Sequence, residues 1–429
     1  FFFIELLSRL LNRHGKAGYI TPDTWINIPQ AQKLREHVLE TFGVKNIVTF
    51  KYSVFEDASV NAIIFILWKN EYVEKCRIIH AEDKGRELSL SFLSIKEASV
   101  QNWRATSDNQ FQIWQNESDI LIISHISAQC KLGLEFLDVC QGIVPYSTEN
   151  LTKEQIGERI YHCHEKIGEE WGMWIQGRDL RRYGINESNR EYLKYGNWLH
   201  RARKPKYFNG ERILIQEITG GNPPRITATL YSDTLYHDPG IISCLNTSKL
   251  SSKFLLTIIN SNLVSWYNLK TSPKGKRTTF PKVLIGDIRK FPIKEIKFEQ
   301  QLPFILNADK MLELNKQFQE KKNQFLRRVK DNLGATAPTM GFIPLELRIT
   351  KKLEAFYDYD YKTFIAELEK QKVKISLTQQ VEWEEFFNTY KTVINNLQSE
   401  IDKTDKEIDQ MVYELYGLTN EEIKIVEES

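Results

Sequence analysis

Lysine and arginine side chains are unevenly distributed along this 429-residue sequence. Between Trp171 and Lys290 it has 20 Lys and Arg against 8 Asp and Glu, a net charge of +12. The whole chain carries +2, so the residues outside this window sum to −10. A basic module between acidic ones is typical of a surface that binds a polyanion. The alternative is a solvated basic face without a specific partner.

Twelve basic residues in or beside predicted turns are the candidates for this contact. Guanidinium groups suit bidentate hydrogen bonding, whereas the Lys ammonium group acts as a point charge. Loops and turns can present such side chains to a partner from a folded scaffold. The twelve are Arg178, Arg181 and Arg182 after Gly177; Arg201, Arg203, Lys204 and Lys206 around Pro205; Arg225 after Pro224; and Lys274, Lys276, Arg277 and Lys282 in the 271–282 loop.

The segments around these residues show strand and helix patterns. Arg212–Thr219 and Arg225–Tyr231 are rich in Ile, Leu and Thr, and turn formers at 220–224 separate them, which predicts a β-hairpin. Ser252–Leu269 has apolar residues three and four apart, which predicts one helix. The basic 271–282 loop follows this helix directly.

Taken in order, five motifs of this region resemble a known domain. They are Gly177-Arg178-Asp179-Leu180, the Lys204-Pro205-Lys206 turn, the ILIQEITGG…RITAT hairpin, the LLTIINSNLVSWY helix and the TFPKVLIGDIRKFPI segment. The series is similar to the target-recognition domain of Taq-type DNA adenine methyltransferases, which also occurs in fused type IIG restriction–modification enzymes. The resemblance implies that the basic module binds double-stranded DNA and recognises a sequence in it.

This partner assigns different roles to the basic residues. Arg is suited to bidentate contact with guanine, whereas Lys more often contacts phosphate. We therefore expect Lys274 and Lys276 to contact phosphates, and at least one of Arg201, Arg203 and Arg225 to read a base.

Residues 1–70 alternate between helix and strand patterns. The predicted elements are a helix at Phe3–Leu11, a short buried strand at Gly18–Thr21, a helix at Ala31–Thr41, and strands at Ile47–Tyr52 and Val60–Leu67.

Within this region, GYITPDTW and VFEDASVNAIIFIL resemble the last part of the catalytic domain of the same family. This implies the end of a Rossmann-like sheet with an antiparallel hairpin at 47–67, and Phe55 as the aromatic that faces a flipped base. An aromatic face restores part of the stacking that a flipped base loses. The alternative is that Phe55 packs in the core or in the hairpin.

The cofactor of this family is S-adenosylmethionine, which a Gly-rich strand–helix turn binds, and an Asn/Asp-Pro-Pro-Tyr/Phe motif holds the adenine. Neither motif is found in residues 1–70. Asn222-Pro223-Pro224-Arg225 has Arg in place of the aromatic and falls in the predicted hairpin turn, so we interpret it as a turn. The sequence starts without Met in a predicted helix. We therefore expect a fragment that is inactive alone and binds no cofactor, with a methyltransferase domain, and possibly a nuclease domain, upstream in the same protein.

Metal binding and membrane insertion are not indicated. The five cysteines form no C-x-x-C pair, which fits reduced thiols in a cytoplasm. The resemblance implies that this cytoplasm is bacterial. In His162-Cys163-His164 neighbouring side chains point apart, so we expect no metal there. No apolar run reaches the 18 or more residues that a membrane span needs.

The C-terminal region carries a heptad pattern. Five apolar residues repeat every seven positions, and a second set lies three positions further on, which predicts a coiled-coil seam or one amphipathic helix on a globular core. The two sets are Phe387, Ile394, Ile401, Ile408 and Leu415, and Tyr390, Leu397, Thr404 and Met411. Gly417 is predicted to end this helix.

The predicted fold is multidomain, α/β and α+β. It comprises the end of a Rossmann-like methyltransferase domain at 1–70, a connecting region at 71–170, a mixed α/β target-recognition domain at 171–295 and a helical, coiled-coil-like region at 296–429. The implied function is sequence-specific recognition within an S-adenosylmethionine-dependent adenine methyltransferase that flips its target base. The alternatives are a non-catalytic DNA specificity subunit and a coiled-coil scaffold protein, but the scaffold leaves the +12 module unexplained.

Overall fold

The computed structural model describes residues 2–50, 52, 54, 55, 61–81, 93–106, 108–187, 191–272, 281–333, 339, 340, 343, 344, 347–373 and 375–428. The chain divides into two compact units. The first unit is Phe1–His125 with Lys270–Thr279, and the second unit is Ile126–Leu269 with Phe280–Ser429. Among the described residues, none of the helices is both long enough and apolar enough to cross a lipid bilayer.

The first unit is built around a five-stranded sheet of order β1-β3-β2-β4-β5. Only the β2–β4 pair is parallel. Trp25, Phe65 and Trp103 are buried at its core. The elements are α1 (Phe2–Leu10), β1 (Lys16–Pro22), α2 (Gln32–Thr41), β2 (Phe42–Phe50), β3 (Ala62–Lys69), β4 (Lys75–Ala81), β5 (Leu93–Ser99), α3 (Val100–Ala105) and α4 (Glu117–Ala128), whose last three residues belong to the second unit.

The antiparallel hairpin predicted at 47–67 is confirmed, because β2 pairs with β3 and places Val48 opposite Ile64. Two other predictions for this region are wrong. β1 is an edge strand whose residues alternate between exposed and half-buried, so it is not a buried strand. The boundary at residue 70 falls inside the sheet, because β4 and β5 complete it. A mixed α/β fold is confirmed, while its Rossmann-like character remains a prediction.

The second unit contains two four-stranded sheets, of order β14-β13-β16-β7 and β15-β9-β12-β8, followed by a helical region. Its elements are β6 (Lys131–Leu132), β7 (Leu137–Gln141), α5 (Lys153–Gly157), β8 (His162–Cys163), β9 (Trp171–Ile175), β10 (Leu180–Arg181), β11 (Gly184–Ile185), β12 (Glu191–Lys194), β13 (Arg212–Gln216), β14 (Ala228–Tyr231), β15 (Tyr236–His237), β16 (Ile241–Asn246), α6 (Ser252–Asn260), α7 (Asn262–Thr271), α8 (Ile285–Ile288), β17 (Pro292–Ile293), α9 (Phe298–Leu333), β18 (Thr339–Met340), β19 (Ile343–Pro344), α10 (Lys351–Glu354), α11 (Tyr361–Lys370), α12 (Leu377–Tyr416) and α13 (Asn420–Glu427).

The predicted hairpin is confirmed as the antiparallel pair β13–β14. The single helix predicted at 252–269 is wrong, because Ser261 has extended backbone and separates α6 from α7. The amide of Asn260 explains the break. Its Oδ1 accepts from Ala228 N at 2.9 Å and its Nδ2 donates to Ala228 O at 3.0 Å, which ties the end of α6 to β14. The apolar spacing continues across the break because both helices are buried on almost all sides.

The heptad positions form the buried face of α12, which packs antiparallel against α9. Phe325 of α9 lies near Phe386, with ring centroids 5.6 Å apart, and Lys310 lies 3.7 Å from Glu400. These two contacts show that α9 and α12 run in opposite directions. Phe387 also packs against α11 through Phe364. The helix ends at Gly417, which has left-handed backbone (φ 68°), as predicted.

Candidate nucleic-acid interface

Three of the predicted basic segments join the Asp238–Gly240 turn of the second unit, one of them directly and the others through Gly142 and Glu217. The Asp238 carboxylate accepts hydrogen bonds from Gly177 N and Gly240 N, both at 3.0 Å, and burial raises the pKa of Asp238. Gly142 packs against the same turn so closely that a Cβ atom there would lie 1.9 Å from the Asp238 carbonyl oxygen. The turn therefore fixes the relative positions of the segments that join it.

The first attached segment is the Gly177 turn at the end of β9. Gln176 N donates to the Asp179 carboxylate at 2.8 Å, which closes the turn, and the Arg178 side chain is exposed. Arg181 is half-buried and donates back to the backbone, including Leu180 O at 2.8 Å. Arg178 is therefore the arginine of this turn that is open to a partner.

The second segment is residues 195–207, called here the 195–207 loop, which follows β12. Tyr195 stacks on Tyr236 with centroids 4.8 Å apart, and Leu199 is buried in the same cluster. The backbones of Arg201 and Val144 pair in an antiparallel bridge. These contacts anchor the loop to the folded unit.

The four basic residues of the 195–207 loop differ in whether their side chains already have partners within the chain. Arg203 Nε donates to Gly142 O at 3.3 Å, and Lys206 Nζ lies 2.6 Å from the Asp138 carboxylate, which lowers the pKa of Asp138. Arg201 and Lys204 are exposed and form no ion pair with any residue that the structure describes.

The third segment is the end of the 271–282 loop. Thr219 N donates to Pro281 O at 3.0 Å, and Lys282 Nζ lies 3.3 Å from the Glu217 carboxylate. Glu217 N in turn donates to Gly240 O at 2.8 Å, which joins this segment to the Asp238–Gly240 turn. Lys274, Lys276 and Arg277 lie outside the described residues, so their contact with phosphate remains a prediction.

Two predicted DNA contacts, Arg182 and Arg225, are ion-paired to α12. Arg182 Nη2 lies 2.5 Å from the Asp405 carboxylate. Arg225 lies 2.9 Å from Asp405 and 3.1 Å from Asp409. Burial opposes the charge of Arg225, but Asp409 and Asp405 outweigh it and raise its pKa. Because carboxylates of the same chain already bind both guanidinium groups, we leave these two arginines out of the candidate interface.

In the first unit, Phe55 follows β2 and is 46% exposed. Phe55 is therefore not a core residue. Stacking on a flipped base remains its predicted role, and packing in the hairpin remains the alternative.

That this chain binds no S-adenosylmethionine remains a prediction, and the described glycines of the first unit bear on it. Gly15 lies between a helix and the following strand, whereas Gly18 and Gly43 lie within strands, so none of these forms a strand–helix turn. Asn222–Arg225 forms the turn of the β13–β14 hairpin, as predicted. We derive no methyl-transfer step from these residues.

His162 has a packing role. Its Nδ1 is hydrogen bonded to the Tyr146 hydroxyl at 2.6 Å and its ring packs edge-on against Trp174. Burial lowers the pKa of His162 to about 4. Within the described ranges, no group of three or more His, Cys, Asp or Glu side chains could hold a metal ion.

Sequence reasoning missed the acidic pair Asp405 and Asp409, and also Trp198, which is exposed in the 195–207 loop. The spacing of the two aspartates places both on one face of α12. Two aspartates on one face of a helix, after a region rich in Lys and Arg, could have indicated an ion pair between the two regions. The sequence alone does not show which arginines the aspartates bind.

Three family models match separate parts of the chain. Residues 173–293 match the TaqI-like C-terminal specificity domain, residues 1–55 match the Eco57I restriction-modification methylase, and residues 297–412 match a domain of unknown function. The chain is thus related to DNA restriction–modification proteins. Residues 1–55 are similar to a restriction-modification methylase and residues 173–293 to a TaqI-like specificity domain, which confirms the resemblance found in the sequence.

Known proteins of this class are similar over large parts of the chain. A Methanocaldococcus jannaschii protein named as a type II restriction enzyme and methyltransferase, RM.MjaORFECS2P, is 22% identical over 353 residues, which cover 80% of this chain and 29% of that protein. The solved type IIL restriction-modification enzyme MmeI, in complex with DNA, is 9% identical with a TM-score of 0.44, over 92% of this chain and 51% of MmeI. The type IIG restriction endonuclease BpuSI is 10% identical with a TM-score of 0.32, over 72% and 43% of the two chains. This chain therefore spans less than a third of the curated relative's length.

Proposed function

We propose that this chain binds duplex DNA and supplies sequence recognition to an S-adenosylmethionine-dependent DNA adenine methyltransferase of a restriction–modification system. The DNA contact is the face around the Asp238–Gly240 turn. It contains Arg178 of the Gly177 turn, Arg201 and Lys204 of the 195–207 loop, and Lys282 at the end of the 271–282 loop. The contact of Lys274, Lys276 and Arg277 with DNA is an expectation from the sequence. The whole protein methylates the exocyclic amine of an adenine that it flips out of the duplex.

The exposed basic side chains of the 195–207 loop carry this proposal. The loop contains four Lys and Arg residues and no Asp or Glu. Its backbone is fixed by Tyr195, Leu199 and the Arg201–Val144 bridge, so the charges of Arg201 and Lys204 are presented from a defined position. A fixed array of cations without carboxylate partners attracts phosphates and loses little entropy on binding.

Contacts within the chain favour one of the three arginines as the base-reading residue. Of the three arginines predicted from the sequence, Arg225 is paired with Asp405 and Asp409, and Arg203 donates to Gly142 O. We therefore assign base reading to Arg201 and phosphate contact to Lys204, Lys274 and Lys276.

A methyltransferase is favoured over a non-catalytic specificity subunit by two observations in the first unit. Residues 1–55 match a restriction-modification methylase, and Phe55, five residues after the end of β2, is 46% exposed. A protein that only binds DNA has no need of a methylase segment with an exposed aromatic at its end.

The test is a salt titration of duplex binding by the 429-residue chain. Each phosphate contact contributes about 0.9 to the slope of log affinity against log salt. Lys204→Ala and Lys276→Ala are each expected to reduce that slope by about one unit on every sequence. Arg201→Ala is expected to cost about 1–3 kcal/mol on the cognate site alone.

Lys310→Ala is the matched control, because Lys310 is an exposed lysine of α9 outside the proposed face. It should leave both affinity and slope unchanged. Affinity that does not fall with salt would refute the proposal. Binding that survives removal of Lys274, Lys276 and Arg277 together would exclude the 271–282 loop from the contact.

A further inference from the structure

We propose that Trp198 is a DNA-contacting residue whose indole packs against the sugars and base edges of the bound duplex. This inference rests on the proposed function and adds an apolar contact to a face that was predicted from its charges alone.

Contacts with the nearby backbone hold the Trp198 indole in position. A Cβ atom on Gly196 would lie 2.3 Å from the Cη2 atom of Trp198 and 2.4 Å from Cζ2, so the six-membered ring lies directly against the glycine. The indole Nε1 donates to Lys194 O at 3.1 Å. Two independent contacts therefore hold the ring in one orientation before any partner binds.

The fixed ring is nevertheless open to solvent, because Trp198 is 45% exposed. Its neighbour Leu199 is buried at 4% exposure, so the loop anchors itself through Leu199 and leaves the larger tryptophan outside. Exposing part of a large aromatic surface to water is unfavourable unless a partner covers it. The arrangement is what a preformed contact residue requires.

The charges around Trp198 identify the partner as a nucleic acid. Lys194 Nζ lies 5.5 Å from the indole centroid, although it also lies 3.8 Å from the Glu170 carboxylate. Arg201 and Lys204 follow Trp198 at intervals of three residues, and both are exposed. A planar aromatic among cations can contact sugars and bases while its neighbours bind phosphates.

The test compares Trp198→Ala and Trp198→Phe with the unchanged chain in duplex binding across a salt series. Trp198→Ala is expected to bind about tenfold more weakly at every salt concentration, because one aromatic contact is lost. The salt slope should stay the same, because tryptophan neutralises no phosphate. Trp198→Phe should recover most of the affinity. Phe298→Ala, which removes an exposed aromatic from α9, is the matched control and should have no effect.

A second measurement does not depend on how well Trp198→Ala folds. The fluorescence of Trp198, obtained as the difference between the unchanged chain and Trp198→Phe, should be quenched when duplex DNA saturates the protein. Salt-dependent binding with full affinity in folded Trp198→Ala, or a difference spectrum that DNA does not alter, overturns this inference and leaves the proposed function intact. Failure of the unchanged chain to bind duplex DNA overturns both.

Discussion

Arg201 and Arg225 carry the same guanidinium group in different surroundings. Asp405 and Asp409 both bind Arg225. Separating Arg225 from the two carboxylates would leave buried charges without partners. Arg201 is exposed and fixed only through its backbone. Charge counting along the sequence treats the two alike, because the carboxylates that bind Arg225 come 180 and 184 residues later. The sequence therefore predicts which residues are cationic, whereas the fold decides which cations remain available to DNA.

Phe55 provides a test of catalytic function at the scale of one residue. In the proposed methyltransferase, Phe55→Ala is expected to lower the methylation rate, because losing one base–aromatic stack costs on the order of 1–3 kcal/mol. Thermal stability should change little, because the side chain is exposed. The measurement is single-turnover methylation of a cognate duplex. Asn222→Ala, which alters the Pro-Pro turn of the β13–β14 hairpin, should leave the rate unchanged. A normal rate in Phe55→Ala would remove Phe55 from the site.

At the scale of helices and strands, sequence periodicity predicts which face of an element is buried, but it does not identify the element that packs against that face. The heptad positions of α12 are the face that packs on α9, yet nothing in their spacing shows that the C-terminal part of α12 also carries Asp405 and Asp409 to the arginines of the recognition module. The break at Ser261 is equally hidden, because it depends on hydrogen bonds between Asn260 and Ala228. Long-range polar contacts of this kind leave no local pattern in a sequence.

The Asp409 carboxylate ties α12 to the region that matches the specificity domain, residues 173–293. It accepts from Asn262 N at 2.7 Å, at the start of α7, and from Arg225 at 3.1 Å. Burial raises the pKa of Asp409, although Arg225 opposes this. Asp409→Ala is expected to lower the free energy of unfolding by about 3 kcal/mol, because it leaves a partly buried arginine and a backbone N–H with fewer partners.

Chemical denaturation measures this change, and Asp402→Ala is its control. Asp402 lies two turns earlier on α12, is exposed and bonds only to Gln398 among the described residues, so its removal should cost less than about 0.5 kcal/mol. Equal destabilisation by the two substitutions would show that the Asp409 contacts do not stabilise the unit.

At the scale of the whole molecule, recognition and catalysis place different demands on the chain. Arg178, Arg201 and Lys204 of the proposed DNA face belong to the second unit, which has its own sheets and its own buried clusters. Methyl transfer also needs residues that bind S-adenosylmethionine and hold the target adenine. The similarity to a methylase covers residues 1–55, and the chain corresponds to 29% of the curated relative.

Because DNA recognition and methyl transfer need different residues, we predict that the 429-residue chain binds DNA without binding S-adenosylmethionine. The first unit offers no glycine turn from strand to helix among its described residues, and Asn222-Pro223-Pro224-Arg225 is a hairpin turn with a salt-bridged arginine where an aromatic is needed. Calorimetry with S-adenosylmethionine should therefore show no micromolar binding, and the chain alone should not methylate a duplex. Salt-dependent duplex binding by the same preparation is the control for a folded protein. Micromolar cofactor binding would contradict the prediction and would mean that a cofactor site is formed by residues that match neither motif.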